Sequence, residues 1–124
     1  MAERPVVHHI PACPFSQRLA ILLDMRGARD AAEFRVVDIT RPRDPGLLRK
    51  TRGSTALPVL EMPDGRVLKE SLVILQFLDE TLPGPCLRRD DPWERAVERM
   101  LVAKEGALVS AGYALVMSQS REAR

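Results

Sequence analysis

Two β-branched runs separated by one helix open the chain and constrain its fold most strongly. The run at 6–10 ends at Pro11, as a strand followed by a loop does. Leucines then recur at helical spacing from Pro14, a favoured first-turn residue, to Gly27, a residue typical of helix ends. A second β-branched run covers residues 34–39. This order predicts two parallel strands joined by a right-handed crossover.

The next part of the chain predicts an antiparallel hairpin. Residues 40–55 contain prolines and glycines among basic residues, which suits a loop with at most a short helix around 47–50. An Asp-Gly pair at 64–65 then separates two short apolar runs at 58–61 and 66–69. Such a pair between apolar runs is typical of a hairpin turn.

A further helix closes this unit. Ser71 is placed to cap it, and a proline-glycine-proline sequence at 83–85 ends it. The apolar residues that share one face are Leu72, Leu75, Leu78 and Leu82. We therefore expect an α/β domain over residues 1–82 with the element order βαβ(α)ββα.

One long amphipathic helix is predicted after a proline-rich linker at 83–90. Asp91 can cap it ahead of Pro92, and Gly106 and Gly112 are the points where it could be interrupted. Its apolar stripe comprises Trp93, Val97, Met100, Leu101, Leu108, Ala111 and Leu115. Such a face needs cover from the first domain or from another chain, so we expect self-association as a homodimer.

Composition argues against several classes of protein. Lys and Arg total 19 against 17 for Asp and Glu, a net charge of +2, so we expect neither a nucleic acid nor an anionic membrane as partner. Two cysteines are too few for a disulfide scaffold, and the first residues lack a signal-peptide pattern, which predicts a reducing, cytoplasmic location. The longest apolar stretch, 106–117, is shorter than the roughly 18 to 20 residues of a spanning helix, so no membrane span is expected.

Cys13 is the strongest candidate for chemistry, because it follows a strand and precedes Pro14 at the start of a helix. The helix dipole and unpaired amides there favour a thiolate, and Arg18 one turn later would add to the effect. The competing interpretation of an isolated cysteine is a small buried apolar residue. Ser16 occupies the position of the second cysteine in a dithiol site. A mixed disulfide on Cys13 would therefore need an external thiol such as glutathione to resolve it.

Other polar residues carry weaker signals. His8 and His9 are adjacent in a strand and face opposite sides, so they cannot chelate one metal, and no metal site is expected. Cys86 lies in the linker, where a packing or solvent-facing thiol is the favoured interpretation. Glu70 and Ser71 follow a strand and open a helix, a geometry that can receive a carboxylate, although a plain helix cap explains Ser71 equally well.

The combination resembles the glutathione transferase superfamily over essentially the whole chain. CPFSQR, ALPVLEMPDGRVLKES and LVILQFLDE look like its N-terminal thioredoxin-like domain, and DPWERAVERMLVAKEG looks like the opening of its all-helical domain. The cysteine-type, omega-like site is the nearest match. The resemblance implies a glutathione-dependent transferase or thiol transferase in which Cys13 forms a mixed disulfide with glutathione, acting on an electrophilic or disulfide substrate. Residues 91–124 would be the first helix of an incomplete helical domain.

The resemblance also implies which residues bind glutathione. These are Phe15, Lys50, Leu57, Pro58, Glu70 and Ser71. Leu57 would pair its backbone with the tripeptide, and Pro58 would follow a cis bond. Glu70 and Ser71 would hold the γ-glutamyl end, and Lys50 would lie near the glycyl carboxylate.

Two alternative functions remain open from the sequence. A transferase-like domain without most of its substrate pocket can serve as a non-catalytic binding or interaction module. CPFSQRL is also the pattern of chloride intracellular channel proteins, which associate with membranes. Those relatives lack the Glu-Ser pair kept here at Glu70 and Ser71, so glutathione chemistry is favoured.

Overall fold

A computed structural model describes residues 3–118 and 122 and contains the predicted elements in the predicted order. The elements are β1 (Val6–His9), α1 (Pro14–Met25), a short 3-10 turn (Arg29–Ala31), β2 (Glu33–Val36), α2 (Pro45–Lys50), β3 (Val59–Glu61), β4 (Val67–Leu68), α3 (Ser71–Thr81) and α4 (Pro92–Met117). The chain forms two compact units, Met1–Leu87 and Arg88–Arg124.

The first unit is built on a four-stranded mixed sheet in the order β2-β1-β3-β4. β1 and β2 are parallel, with Val7 opposite Phe34, as the crossover predicts. β3 is antiparallel to both β1 and β4, so the predicted hairpin is confirmed. Gly65 adopts a φ of 85° in its turn, a conformation that a residue without a Cβ reaches without steric cost.

One face of the sheet carries the core. Val7 of β1 and its partner Leu60 of β3 are fully buried against α1 and α3. Leu19 and Leu23 contribute from α1, and Ile74 contributes from α3. Each such side chain stabilises the fold by about 1.5–3 kcal/mol relative to leaving it exposed. Because side chains alternate along a strand, the residues next to Val7 and Leu60 face the opposite side of the sheet.

The ends of two elements differ from the sequence prediction. β2 ends at Val36 rather than at residue 39, because the Asp38 carboxylate accepts hydrogen bonds from Thr40 N and Oγ1 and turns the chain. Ser71 is the first helical residue of α3 and not its cap. Glu70 occupies the cap position, and no side chain caps this helix.

The start of the proline-rich segment is held firmly within the first unit. The buried guanidinium of Arg26 forms an ion pair with Asp79 and also donates to the carbonyl oxygens of Leu82, Pro83 and Gly84. Asp79 in turn accepts the N–H of Leu87 at 3.0 Å. The division between the two units therefore falls after residue 87, inside the predicted linker.

The second unit contains α4, which runs without interruption through Gly106 and Gly112. Asp91 caps it as predicted, because its Oδ2 accepts the N–H of Glu94 at 3.0 Å. None of its residues is buried, and Trp93 is 77% exposed. By length and composition alone α4 is long and apolar enough to cross a membrane. The sequence prediction counted only residues 106–117, because the charged residues Lys104 and Glu105 precede them. Core helices of soluble proteins can be equally long and apolar.

Candidate functional site

The topology brings three of the sequence-predicted segments to one edge of the sheet. β1 and β4 run in the same direction, and β3 runs opposite to both. The chain leaving β1 leads to Cys13, and the chain leaving β4 leads to Glu70 and Ser71. β3 begins at this same edge, immediately after Leu57 and Pro58. Three segments that are far apart in sequence therefore converge there.

Cys13 is the N-cap residue of α1. Its backbone is extended, with φ −74° and ψ 122°, and its N–H donates to Ile10 O at 3.0 Å. Its carbonyl oxygen accepts the N–H groups of Ser16 and Gln17, which closes the first turn. The thiol is free and half-buried, and no side chain caps the helix. The prediction that Cys13 lies at the start of a helix is confirmed.

The first turn of α1 offers further groups beside Cys13. Pro14 has no N–H, and the N–H of Phe15 has no partner among the described residues. The Phe15 ring is half-buried, and the Arg18 guanidinium lies 5.2 Å from its centroid. Ser16 is 1% exposed, and its hydroxyl oxygen has no hydrogen-bond partner in the part of the chain that the structure describes.

Leu57 and Pro58 form the second segment of the site. Their peptide bond is cis, as the resemblance implies. Pro58 is buried, whereas Leu57 is half-buried. Within residues 3–118 and 122, neither the N–H nor the C=O of Leu57 has a hydrogen-bond partner. This backbone is therefore available to pair with an extended ligand.

Glu70 and Ser71 form the third segment. Glu70 has φ 69° and ψ 110°, a backbone conformation that residues other than glycine rarely adopt. The N–H groups of residues 71–73, in the first turn of α3, have no partner in the described part of the chain. The Glu70 side chain is exposed and takes part in no ion pair within that part. The segment thus presents free amides and a carboxylate side by side.

Lys50 is engaged elsewhere. Its ammonium group donates to Glu61, whose other oxygen, Oε2, accepts from His8 Nε2 at 2.8 Å. The Lys50 ammonium holds the pKa of the Glu61 carboxyl below its usual value. Glu61 pairs with Val6, at the end of β1 opposite the one that leads to Cys13. The structure therefore does not bring Lys50 to the other predicted site residues.

Arg43 is a basic residue that the sequence did not single out. It lines the same small space as Leu57 and Thr55, and its Nη2 donates to Thr55 O at 3.5 Å. Its Nε is buried and finds no hydrogen-bond partner among the described residues. Nothing in the sequence distinguishes Arg43 from its basic neighbours in the 40–55 loop, since the difference is a matter of which atom is buried.

His9 lies at the end of β1 that leads to Cys13, and its surroundings bear on whether the site could hold a metal. His9 ends β1 and packs edge-on against Phe34, with ring centroids 5.2 Å apart. Burial, aided by the charge of Arg29, lowers its pKa below the usual histidine value. Within the part of the chain that the structure describes, no three His, Cys, Asp or Glu side chains are grouped as metal ligands would be.

Residues 7–86 match the family model of the glutathione S-transferase N-terminal domain. The chain belongs to this family. It is 34% identical over 95 residues to glutathione S-transferase omega-1 of pig, Sus scrofa, an alignment that covers 77% of this chain and 38% of the pig protein. The sequence resemblance to the omega-like members of the superfamily is therefore confirmed, and the first unit is the thioredoxin-like domain.

Solved structures of the family agree with this assignment. Glutathione transferase Omega 3C from Trametes versicolor has a TM-score of 0.79 and 25% identity, covering 99% of this chain and 52% of its own. A glutathione transferase family member from Pseudomonas fluorescens, solved with bound glutathione, has a TM-score of 0.73 and 26% identity, covering 95% of this chain and 59% of its own. The present chain thus spans well under two thirds of these relatives.

Proposed function

We propose that this chain is a glutathione-dependent thiol transferase in which Cys13 is the nucleophile. The observation that carries the proposal is the convergence of Cys13, the free backbone of Leu57 and the Glu70-Ser71 helix start at one edge of the sheet. The omega-1 relatives and the glutathione-bound structure of a family member support glutathione as the ligand. A reducing, cytoplasmic location is the matching compartment.

The reaction needs only thiol chemistry. The Cys13 thiolate attacks the glutathione sulfur of a glutathionyl mixed disulfide, a Cys13–glutathione disulfide forms, and the other sulfur leaves as a thiolate. A second glutathione thiolate then attacks the glutathione sulfur of this intermediate. Oxidised glutathione leaves, and the Cys13 thiolate is regenerated. A glutathione conjugate with an electron-withdrawing carbon group is the alternative substrate: attack on the glutathione sulfur breaks its bond to carbon, the electron pair leaves with the carbon group as a stabilised carbanion, and this carbanion takes a proton from water.

In the proposed complex each of the three segments binds a different part of the glutathione tripeptide. The backbone N–H and C=O of Leu57 pair with the cysteinyl part, beside Cys13. The amides of residues 71–73 receive the γ-glutamyl carboxylate, and the Glu70 carboxylate pairs with its α-ammonium group. Phe15 contributes its unpartnered N–H at the start of α1.

We assign the glycyl carboxylate to Arg43. Lys50, which the resemblance implies for this role, is paired with Glu61 toward the other end of the sheet. Arg43 packs beside Leu57 across a space too small to admit a water molecule, and its Nε has no partner among the described residues, so its guanidinium has to turn outward to reach the carboxylate. A guanidinium is well suited to bind a carboxylate through two parallel hydrogen bonds.

The direct test is mass spectrometry of the intact chain after incubation with oxidised glutathione. The proposal predicts one glutathionyl adduct, mapped by peptide digestion to Cys13. Cys13→Ser should abolish the adduct and the turnover of a low-molecular-weight mixed disulfide. Cys86→Ser is the matched control and should keep both. An adduct that maps only to Cys86, or no adduct at all, contradicts the mechanism.

A non-catalytic binding module is the second candidate, because the exposed apolar residues of α4 suit contact with another protein chain. Glutathione binding without turnover would favour this function.

The exposed apolar residues of α4, such as Trp93 and Leu108, support self-association in either case. A monomer mass at high concentration in light scattering would contradict the homodimer. Sedimentation with lipid vesicles tests membrane association, which the length of α4 brings into consideration.

A further inference from the structure

Ser16 combines two properties that rarely occur together. Its side chain is almost completely buried, at 1% exposure, and its hydroxyl oxygen has no hydrogen-bond partner among residues 3–118 and 122. Leaving a buried hydroxyl unpaired is unfavourable, and most buried polar side-chain atoms do have a partner. Alanine would fill nearly the same volume without this cost. The hydroxyl is therefore unfavourable for the fold as it stands.

The position of Ser16 indicates what its hydroxyl can serve. It is the third residue after Cys13, and its N–H already donates to the Cys13 carbonyl oxygen at 3.1 Å. Side chains in a helix tilt toward the helix N-terminus, so the Cβ of Ser16 is directed toward the turn that Cys13 begins. In capped helices the same two positions exchange hydrogen bonds between side chain and backbone.

From these observations we infer that Ser16 is a positioning residue whose hydroxyl donates a hydrogen bond to the Cys13 sulfur when that sulfur is ionised. A neutral thiol is a weak acceptor, whereas a thiolate is a full negative charge. The hydroxyl gains its partner only in the ionised, reactive state of the site, which this bond stabilises. Serine supplies the donor without the second thiol that would oxidise to a disulfide with Cys13.

The inference rests on the proposed role of Cys13, but its test needs no glutathione. In a Cys86→Ala background Cys13 is the only thiol of the chain, since the sequence contains two cysteines. The rate of alkylation by iodoacetamide is measured as a function of pH, and the midpoint gives the pKa of Cys13. The ionisable groups on the elements that meet at this edge, His9, Arg18 and Glu70, stay unchanged in every variant compared.

Ser16→Ala should raise the pKa of Cys13 by about one unit and slow alkylation below that pKa about tenfold, as loss of one hydrogen bond to an anion implies. The thermal midpoint of Ser16→Ala should stay equal or rise, because the unpaired hydroxyl is gone. Ser16→Thr keeps the hydroxyl and should keep the pKa near that of the parent. Ser110→Ala, an exposed serine of α4, is the matched control and should change neither quantity.

An unchanged pKa in Ser16→Ala would overturn the inference, as would an equal shift in Ser16→Thr, because the effect would then come from packing. The outcome is separable from the proposed function. A pKa shift without any glutathionyl adduct on the parent chain would support the role of Ser16 and contradict the glutathione chemistry. An adduct on Cys13 with no pKa shift would do the reverse.

Discussion

The four α-helices of the described residues begin in two different ways. α2 and α4 are each capped by an aspartate: Asp44 Oδ2 accepts the N–H of Leu47 at 2.8 Å, and Asp91 Oδ2 accepts that of Glu94 at 3.0 Å. α1 and α3 begin at Cys13 and Glu70, and neither helix has a side-chain cap. The two uncapped starts are the two that lie at the proposed glutathione site.

This difference separates helix starts that serve the fold from helix starts that serve a ligand. A cap of the aspartate type stabilises a protein by about 0.5–2 kcal/mol relative to alanine. In a capped start the aspartate already occupies one of the first-turn amides and places its own negative charge where an anion would bind. α1 and α3 give up this stabilisation, and Glu70 additionally holds a left-handed backbone at φ 69°. The cost is concentrated where a ligand can offset it.

The largest expected effect concerns the uncapped start of α3. Glu70→Gln removes the charge that would pair with the ammonium group of glutathione, and we expect the dissociation constant to rise by about tenfold to a hundredfold. Calorimetric titration measures the constant, and the thermal midpoint should remain near that of the parent. Glu3→Gln, which alters an exposed carboxylate at the N-terminus, is the control. Equal affinity in both variants would remove α3 from the site.

The next largest effect concerns Arg43, to which we assign the glycyl carboxylate of glutathione. Arg43→Ala should weaken glutathione binding by about tenfold, because one charge-assisted contact to a carboxylate is lost. Arg41→Ala, in the same loop but 82% exposed on its side chain, should leave the affinity unchanged. If Lys50→Ala weakens binding while Arg43→Ala does not, the carboxylate contact belongs to Lys50, and our assignment is wrong.

A capped start should respond in the opposite manner. Asp91→Ala should lower the free energy of unfolding by about 1 kcal/mol, since the N–H of Glu94 loses its partner. Urea denaturation followed by circular dichroism measures this loss. Asp90→Ala changes the neighbouring exposed aspartate and should have a much smaller effect. Glutathione affinity should be the same in both variants, and a loss in Asp91→Ala alone would blur the distinction between the two kinds of helix start.

The smallest effect concerns the Lys50–Glu61–His8 network, which we consider structural. The pKa of Glu61 is lowered in the fold, so its ionised form contributes stability above the unfolded glutamate pKa of about 4.3. This contribution is lost as the pH falls through the lower pKa of the folded state. Glu61→Gln should therefore make the free energy of unfolding less dependent on pH in this acidic range. A pH dependence identical to that of the parent would contradict this role.

The order of the helices and strands could be predicted because single residues mark where these elements begin and end. Pro14 and Gly27 mark the ends of α1, and the Asp-Gly pair at 64–65 marks the hairpin, because each acts through its own backbone conformation. The convergence of Cys13 with Glu70 then follows from the strand order.

Contacts between residues that are far apart in the chain cannot be predicted from the sequence alone. His8 and Glu61 are 53 residues apart and meet only through the register of β1 and β3. The same limit applies to Arg43, because its buried Nε depends on how its loop packs, and to Lys50, because its pairing with Glu61 cannot be predicted from the sequence. The sequence predicts Ser71 as the cap because no residue pattern indicates the positive φ of Glu70.

The distinction between the two kinds of helix start is tested most directly by nuclear magnetic resonance of the isotope-labelled chain during titration with glutathione. The account predicts that backbone amide signals shift at Phe15, Leu57 and residues 71–73. The first-turn amides of the capped helices, Leu47 and Glu94, should keep their positions. Shifts that centre on the capped helix starts, or no shifts at the uncapped ones, would contradict it.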